Sequence, residues 1–400
     1  MAIRGPRAAK PTEVGAVLKL ANDVFRPKAP VMGRAFPTLF RPENARYLRI
    51  FADGSRPVSL VGACVYEMAV FGCRLRTGNV GSVCTHPDYR GRGFASRLLD
   101  DMIALLRRDG VHVMDVSGGR GMYQRAGCVR TGGLLVYPPI TAEQAARLVS
   151  PAAASPVDYS ARYLEAMQRA YQREPVRYLR PLREAALLTG MVGTRGEGGR
   201  LLVLARDPSG RPALQHRREG GPRGRPRGGR EVVGHLEMRF GLREGVVRGR
   251  VNEYAGERAA LVASLAGVMA HLGLESLHLV IPAWDADFIA GLAPLGLTPT
   301  PTGTGHTYRI INLPVLAEAL GDYLRERLGE TAERLRFEQQ GDRYRVRCGR
   351  AAVTLDSPRA TQMVLGAPQG PAVPKAARPL RRLLEAVFPL PMILPGLNYV

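Results

Sequence analysis

Lysine is almost missing from this chain. Of its 57 basic residues only Lys10, Lys19, Lys28 and Lys375 are lysine, and the rest are arginine. No lysine is followed by serine or threonine, so the phosphate loop of nucleotide hydrolases, which ends in Lys-Ser or Lys-Thr, is excluded. No run of about 18 apolar residues occurs, which leaves no segment to span a bilayer as a helix. The opening MAIRGPRAAK lacks the apolar centre of a secretory leader, and the expected location is cytoplasmic. The five cysteines, Cys64, Cys73, Cys84, Cys128 and Cys348, are odd in number and form no CxxC pair. Neither a disulfide framework nor a zinc site is expected, and no other metal.

What is present is a globular composition, 45% hydrophobic over 400 residues, enough for two or three domains. The formal net charge of +22 favours a polyanionic partner: nucleic acid, an acidic membrane surface or a phosphorylated cofactor. The skew to arginine is equally what GC-rich coding produces, with no functional meaning.

The first segment reads as an ordered series. TEVGAVLKLANDVF places Val14, Val17, Leu18, Ala21, Val24 and Phe25 on one helical face. YLRIFA and VSLVGACVYEM read as strands joined by the turn DGSRP, and a third strand ends at VGSVCT. A helix follows with Ala95, Leu98, Leu99, Met102, Ile103 and Leu106 on its apolar side, then the strand VHVMDVS, the short helix MYQRAG and a strand near GLLVY. The second segment repeats this order. RDPSGRP and EVVGHLEM echo the first hairpin, with Val61-Gly62 answered by Val233-Gly234, and LAGVMAHLGLESLHLVI echoes DDMIALLRRDGVHVMDV. The reading is a duplicated domain. The insertion at 216–231, HRREGGPRGRPRGGRE, is arginine and glycine without an apolar side chain to bury, and is expected to be a disordered hairpin loop. From His306 the pattern changes to a helix carrying Leu316, Leu320, Tyr323, Leu324 and Leu328, three short strands, the helix PLRRLLEAVF and an apolar tail, a small α+β domain.

The stretch YRGRGFASRLL sets two glycines at the mouth of a helix. A helix start presents about four unpartnered N–H groups and a partial positive charge. Gly91 and Gly93 remove the Cβ atoms that would hold a diphosphate away from that backbone, and Arg90 and Arg92 add charge-assisted hydrogen bonds. A dinucleotide fold would place its glycine loop after the first strand of a βαβ unit, whereas here the loop follows a hairpin and a third strand.

With its context, VCTHPDYRGRGFASRLL resembles the acetyl-coenzyme A loop of the GNAT superfamily of N-acetyltransferases, whose Arg/Gln-x-x-Gly-x-Gly/Ala signature is met by Arg90, Gly93 and Ala95. The order of elements over residues 1 to about 140 is similar too. The wider plan resembles the enhanced intracellular survival acetyltransferases: a catalytic GNAT domain at 1–145, a degenerate GNAT-like copy at 146–305 and a sterol-carrier-like α+β domain at 306–400. The resemblance implies a mixed α/β sheet in each copy, acetyl-coenzyme A as co-substrate, and transfer to a primary amine of a small molecule or a lysine side chain. It further implies that Val83, Cys84 and Thr85 flank the thioester, that the amides from Arg90 through Gly91, Arg92, Gly93, Phe94 and Ala95 to Ser96 take the pyrophosphate, and that Gly118 and Gly119 form the other wall. Tyr123 matches the family's general acid, and the C-terminal carboxylate of Val400 its base. A homo-oligomer is left open, since the sequence does not fix the assembly state.

Alternatives stand beside these roles. Tyr123 could equally pack under its helix, and the apolar tail could cap its own domain. Gly81–Thr85 offers no carboxylate, and the strand pattern does not fix which way Glu67 or Asp115 faces. His86, before a proline, reads as a surface turn, and Cys84 as a buried strand residue. The second copy has Leu292 where the first has Tyr123 and lacks the glycine loop, so no cofactor is expected there. Trp284 and Asp285 or Asp287 are its candidate acceptor contacts, with packing the plainer role for Trp284. Two other functions remain: a non-catalytic acyl-coenzyme A or lipid binder, and a nucleic-acid binder using 216–231.

Overall fold

The computed structural model describes residues 3–194, 198–206, 230–243, 246–341, 343–368, 373, 378–391 and 396–400. In chain order the first elements are β1 (Ile3–Ala8), α1 (Val14–Phe25), α2 (Met32–Ala35), β2 (Leu48–Asp53), β3 (Arg56–Val70), β4 (Cys73–Thr85), α3 (Phe94–Arg108), β5 (Val113–Val116) and α4 (Gly121–Arg125). The duplicate follows with β6 (Leu134–Val136), β7 (Ile140–Thr141), α5 (Ala142–Ala146), β8 (Ser155–Asp158), α6 (Leu164–Tyr171), β9 (Val176–Tyr178), α7 (Leu182–Gly190), β10 (Gly199–Arg206), β11 (Glu231–Arg243), β12 (Val246–Gly256), α8 (Arg258–Ala263), α9 (Leu265–Leu272), β13 (Ser276–His278), β14 (Val280–Pro282), α10 (Ala286–Leu292) and β15 (Thr300–Thr302). The last stretch holds β16 (Thr307–Ile310), α11 (Leu313–Ala319), α12 (Gly321–Leu328), β17 (Leu335–Gln340), β18 (Arg343–Cys348), β19 (Ala351–Asp356), α13 (Ser357–Leu365) and α14 (Arg378–Val387).

Two compact units divide the chain. One is Met1–Gly133 with Thr302–Met392 and Tyr399–Val400, the other Leu134–Pro301 with Ile393–Asn398. The divisions therefore fall at 133/134 and 301/302, not at the expected 145/146 and 305/306, and residues 302–392 belong with the first segment. The reason lies in the sheet. β5 is left with an open edge, and β16 closes it antiparallel, Tyr308 opposite Asp115, extending the series β1-β2-β3-β4-β5-β16. The single helix expected after His306 is two, α11 and α12. β17, β18 and β19 form a separate antiparallel sheet.

In the first unit α3 lies on the sheet and buries Leu98, Leu99, Met102, Ile103 and Leu106 as its spacing requires, together with Phe94 and Leu105. Burying each such side chain contributes about 1.5–3 kcal/mol. The β3–β4 hairpin turns on Phe71 and Gly72, both at positive φ (45° and 84°), as a two-residue loop demands.

The second unit carries the same hairpin and crossover. β11 pairs antiparallel with β12, and β12 runs parallel to β13 at Arg248–Arg250 against Ser276–His278. Gly234 opposes Gly256 in this copy as Gly62 opposes Gly81 in the first. The loop expected at 216–231 lies outside the described residues as far as 229, and its last residue, Glu231, opens β11. At the centre of this unit Arg180 is clamped by both oxygens of Glu253 at 2.7 Å, and its Nε donates to Asn398 Oδ1 at 2.6 Å. The Leu397 amide donates to the same Glu253 carboxylate at 2.9 Å. Burial alone would push Glu253 up, but the Arg180 charge and hydrogen bonds outweigh it and hold the carboxyl far below the ordinary range. Its contribution to stability is thus present above the unfolded-state pKa and lost as acid protonates it. Arg180→Leu removes the guanidinium and leaves that buried carboxylate only the Leu397 amide and His235, and is expected to cost about 3–5 kcal/mol in urea unfolding; a loss within 1 kcal/mol, roughly the value of an exposed pair, would contradict the clamp.

Candidate active site

The site begins where β4 and β5 part. They pair in parallel from Thr77 opposite Val113 to Val80 opposite Val116, with the Ser117 amide reaching Val80 O at 3.4 Å. β4 then continues to Thr85 on β3 alone. Its register slips between the Gly62–Gly81 and Leu60–Cys84 pairs, and Ser82 takes a positive φ of 52°. This is a β-bulge, which bends the strand and re-aims the residues from Val83 onward. The wedge between the parted strands opens into a groove of about 520 Å³.

Every residue from Val83 to Thr85 and from Arg90 to Ser96 that the sequence singled out lines this groove. Gly93 caps α3 in the left-handed region (φ 71°), and Gly91 shares that conformation (φ 78°). The first amide to bond within the helix is that of Arg97, to Gly93 O at 3.1 Å, so the Phe94, Ala95 and Ser96 amides precede the helical ladder. A Cβ at either glycine would meet no atom within 4 Å: packing does not demand glycine here, and what their absence of side chain leaves is open space over exposed N–H groups. The loop is braced from behind. Tyr89 donates to Asp53 Oδ2 at 2.7 Å, Arg92 lies over the Tyr89 ring at 5.2 Å, and Arg90 Nε donates to Thr85 O at 3.3 Å.

Gly118 and Gly119 do not line the groove; Arg120, Met122 and Arg125 of the α4 segment take that wall, and Val24 and Phe25 of α1 close another side. Arg120 and Arg125 flank the Tyr motif in GRGMYQRAG, so the arginine pair framing that tyrosine was the available signal. Val24 and Phe25 read as part of a helix's core stripe, which no spacing distinguishes from a groove wall. Gly118 instead accepts from Thr307 Oγ1 at 2.9 Å.

Cys84 is 5% exposed and burial pushes its thiol up to about 12, which suits a wall and not a nucleophile. His86 caps the turn, within 3.4 Å of the Asp88 amide and 2.7 Å of Arg56. Glu67 is exposed beside Arg74. Asp115 is buried and paired with His306 Nδ1 at 2.7 Å. Tyr123 is 3% exposed; burial pushes its phenol above the ordinary value, Arg120 draws it down, and Cys128 and Tyr399 add to the rise. The C-terminal Val400 is buried, and its carboxyl group covers Gly81: a Cβ built there would overlap the Val400 carboxyl carbon and oxygen.

The duplicate departs at the decisive place. β12 runs to Gly256 and α8 begins at Arg258, so one residue, Glu257, stands where the first copy has the eight of 86–93. Arg258 is bound to Glu174 at 2.5 Å and Asp285 at 2.9 Å. Trp284 and Asp285 line a separate pocket in this unit with Tyr171 and Tyr254. Among the described residues no group of three or more His, Cys, Asp or Glu could hold a metal, and no helix is long and apolar enough to cross a membrane.

Gly93→Val sets a β-branched residue at φ 71° and fills the space over the amides. It is expected to weaken coenzyme A binding roughly tenfold or more in titration calorimetry, about 1.4 kcal/mol or above. Unchanged affinity would remove the phosphates from this loop.

The family model of the acetyltransferase (GNAT) domain matches residues 6–129. No curated protein matches the sequence. Among solved structures, a conserved protein of unknown function from Enterococcus faecalis V583 is similar at TM-score 0.59 and 16% identity, covering 89% of this chain and 84% of its own. A GCN5-related N-acetyltransferase from Anabaena variabilis gives 0.55 and 11%, covering 90% and 89%. Eis1 from Mycobacterium abscessus gives 0.51 and 14%, covering 80% and 76%. At these identities the likeness is one of fold. The GNAT fold family uses acyl-coenzyme A, and the open glycine cradle, the leading amides and four groove arginines suit its phosphates. Residues 6–129 thus match the acetyltransferase (GNAT) domain, and that match supports an acyltransferase enzyme.

Proposed function

We propose that the chain transfers an acetyl group from acetyl-coenzyme A to a primary amine, of a small molecule or of a lysine side chain, by direct attack in a ternary complex. The observation that carries this reading is the terminal carboxylate on Gly81, two residues before groove-lining Val83.

The acyl thioester supplies an activated carbonyl when bound. Backbone groups of Val83–Thr85, on the stretch that β5 has left, orient it and polarise its oxygen. An ammonium has no lone pair to attack with, and the Val400 carboxylate takes its proton. The amine nitrogen bonds to the carbonyl carbon, and the carbon–sulfur bond then breaks. The Tyr123 phenol donates its proton to the departing sulfur; the second proton, which the nitrogen sheds as it becomes an amide, restores the phenol through solvent, and Val400 releases the first to solvent. Burial keeps that phenol firmly protonated at rest, while Arg120 stabilises the phenolate that donation leaves.

The kinship of 306–400 with sterol carrier proteins is supported by its small sheet and surrounding helices. In this reading the segment serves the reaction by carrying the chain end and closing the first sheet with β16.

Tyr123→Phe is expected to leave coenzyme A affinity unchanged and lower kcat by about 10²-fold or more in a free-thiol release assay across a panel of amines. Removing Val400 alone is expected to cost a similar factor. Gly81→Ala, which displaces the carboxylate with a single methyl group, is expected to lower kcat with folding retained by circular dichroism. Full turnover in the Val400 deletion would exclude the chain end as base, and no turnover by the intact chain on any amine would remove the enzyme reading.

A further inference from the structure

A base at the last residue of a chain has an inherent weakness. Chain ends fray, and a catalytic group is useful only when held to a fraction of an ångström. The Val400 carboxylate therefore needs something to hold the residue before it.

That residue is Tyr399, and three groups surround its side chain within the first unit. Its phenol oxygen lies 2.8 Å from Ser117 Oγ. The His306 imidazole meets the ring edge-on, with centroids 5.6 Å apart and planes at 70°. The Phe36 ring stands at 6.1 Å on another side. His306 is itself held by Asp115, Nδ1 to Oδ1 at 2.7 Å, with both side chains largely buried. The next residue along, Thr307, donates to Gly118 O. Consecutive residues at the start of β16 thus grip the end of β5 on both sides of Ser117. A buried carboxylate needs a partner, and Asp115 has one whose other use is to wall the tyrosine.

We propose that Asp115, His306 and Ser117 form a docking site for the penultimate Tyr399, and that this site positions the Val400 carboxylate over Gly81. One trans peptide separates the two residues, a Cα–Cα span of about 3.8 Å, so fixing Tyr399 confines Val400 to a few backbone angles. None of the three groups lines the coenzyme A groove. They are positioning residues, and their loss acts on the base without touching cofactor affinity. The catalytic half of this inference rests on the reading of Val400 as base; the docking half does not.

The test separates the two. His306→Leu, His306→Asn, Tyr399→Ala and the Val400 deletion are compared with the intact chain in two assays: steady-state acetylation of one amine, and release of C-terminal residues by carboxypeptidase followed by intact mass. His306→Leu and Tyr399→Ala are expected to lower kcat by about ten- to a hundredfold, the scale of an ångström's misplacement, with the KM for acetyl-coenzyme A within about twofold. His306→Leu is expected to speed release of Val400 as well. His306→Asn keeps a donor towards Asp115 and is expected to recover most of both losses, which a general loosening of β16 would not allow. Tyr399→Ala alters only the chain end, so it reads the docking site even where a His306 variant folds poorly. Unchanged kcat in Tyr399→Ala, with the Val400 deletion slow, would overturn the positioning role while leaving the base in place. An active Val400 deletion would remove the base, and docking would then be judged by release alone: unchanged release in His306→Leu would overturn it.

Discussion

The parting of β4 from β5 after Val80 governs everything else in the first unit. A sheet whose neighbouring strands stay paired has no room for a ligand between them. Here the bulge at Ser82 bends β4 away, and the wedge it leaves receives two things. One side opens into the groove lined by Val83–Thr85 and the glycine loop. Nearer the apex, over Gly81, sits the chain's own carboxylate. Glycine at 81 is what lets it sit there, whereas its partner Gly62 is packed by Leu39 and Leu48.

The duplicate shows what the groove requires by lacking it. Both copies have the hairpin, the paired glycines and a parallel crossover. Only the first inserts a loop between strand and helix. Where β12 passes through Glu257 straight into α8, there is no segment to wrap a diphosphate, and the arginine at the helix start is tied to Glu174 and Asp285. The two copies thus differ in the eight residues, 86–93, that stand between strand and helix in the first.

Much of this was legible in the sequence. Helical periodicity gave α3 its buried face and α1 only Val14, Val17 and Ala21 of its own, missing Leu20, and Gly91 and Gly93 ahead of a helix pointed to the loop that lines the groove. The echo of Val61-Gly62 in Val233-Gly234 disclosed the duplication through a backbone need that both copies share. Other features depend on contacts far apart in the chain. That β16 would close the first sheet could not be read from the alternation in HTYRII, since any open edge accepts such a strand; the open edge at β5 decided it. Asp115 and His306 are 191 residues apart, and nothing in either neighbourhood names the other. Ser82 at positive φ is equally invisible, because its residue type carries no preference for that region. Analogy of position puts Gly118 and Gly119 on a groove wall, whereas the turn of α4 brings Arg120, Met122 and Arg125 there instead.

The chain end joins these levels. Buried polar contacts in one unit hold Leu397 and Asn398, and a hydrogen bond and ring contacts in the other hold Tyr399. The account as a whole turns on where the phosphates of coenzyme A lie, and a crystal structure of the complex measures that directly. The account predicts the pyrophosphate on the amides between Gly91 and Ser96, with the pantetheine arm along Val83–Thr85. A coenzyme A bound elsewhere, with a side chain covering those amides, would contradict it.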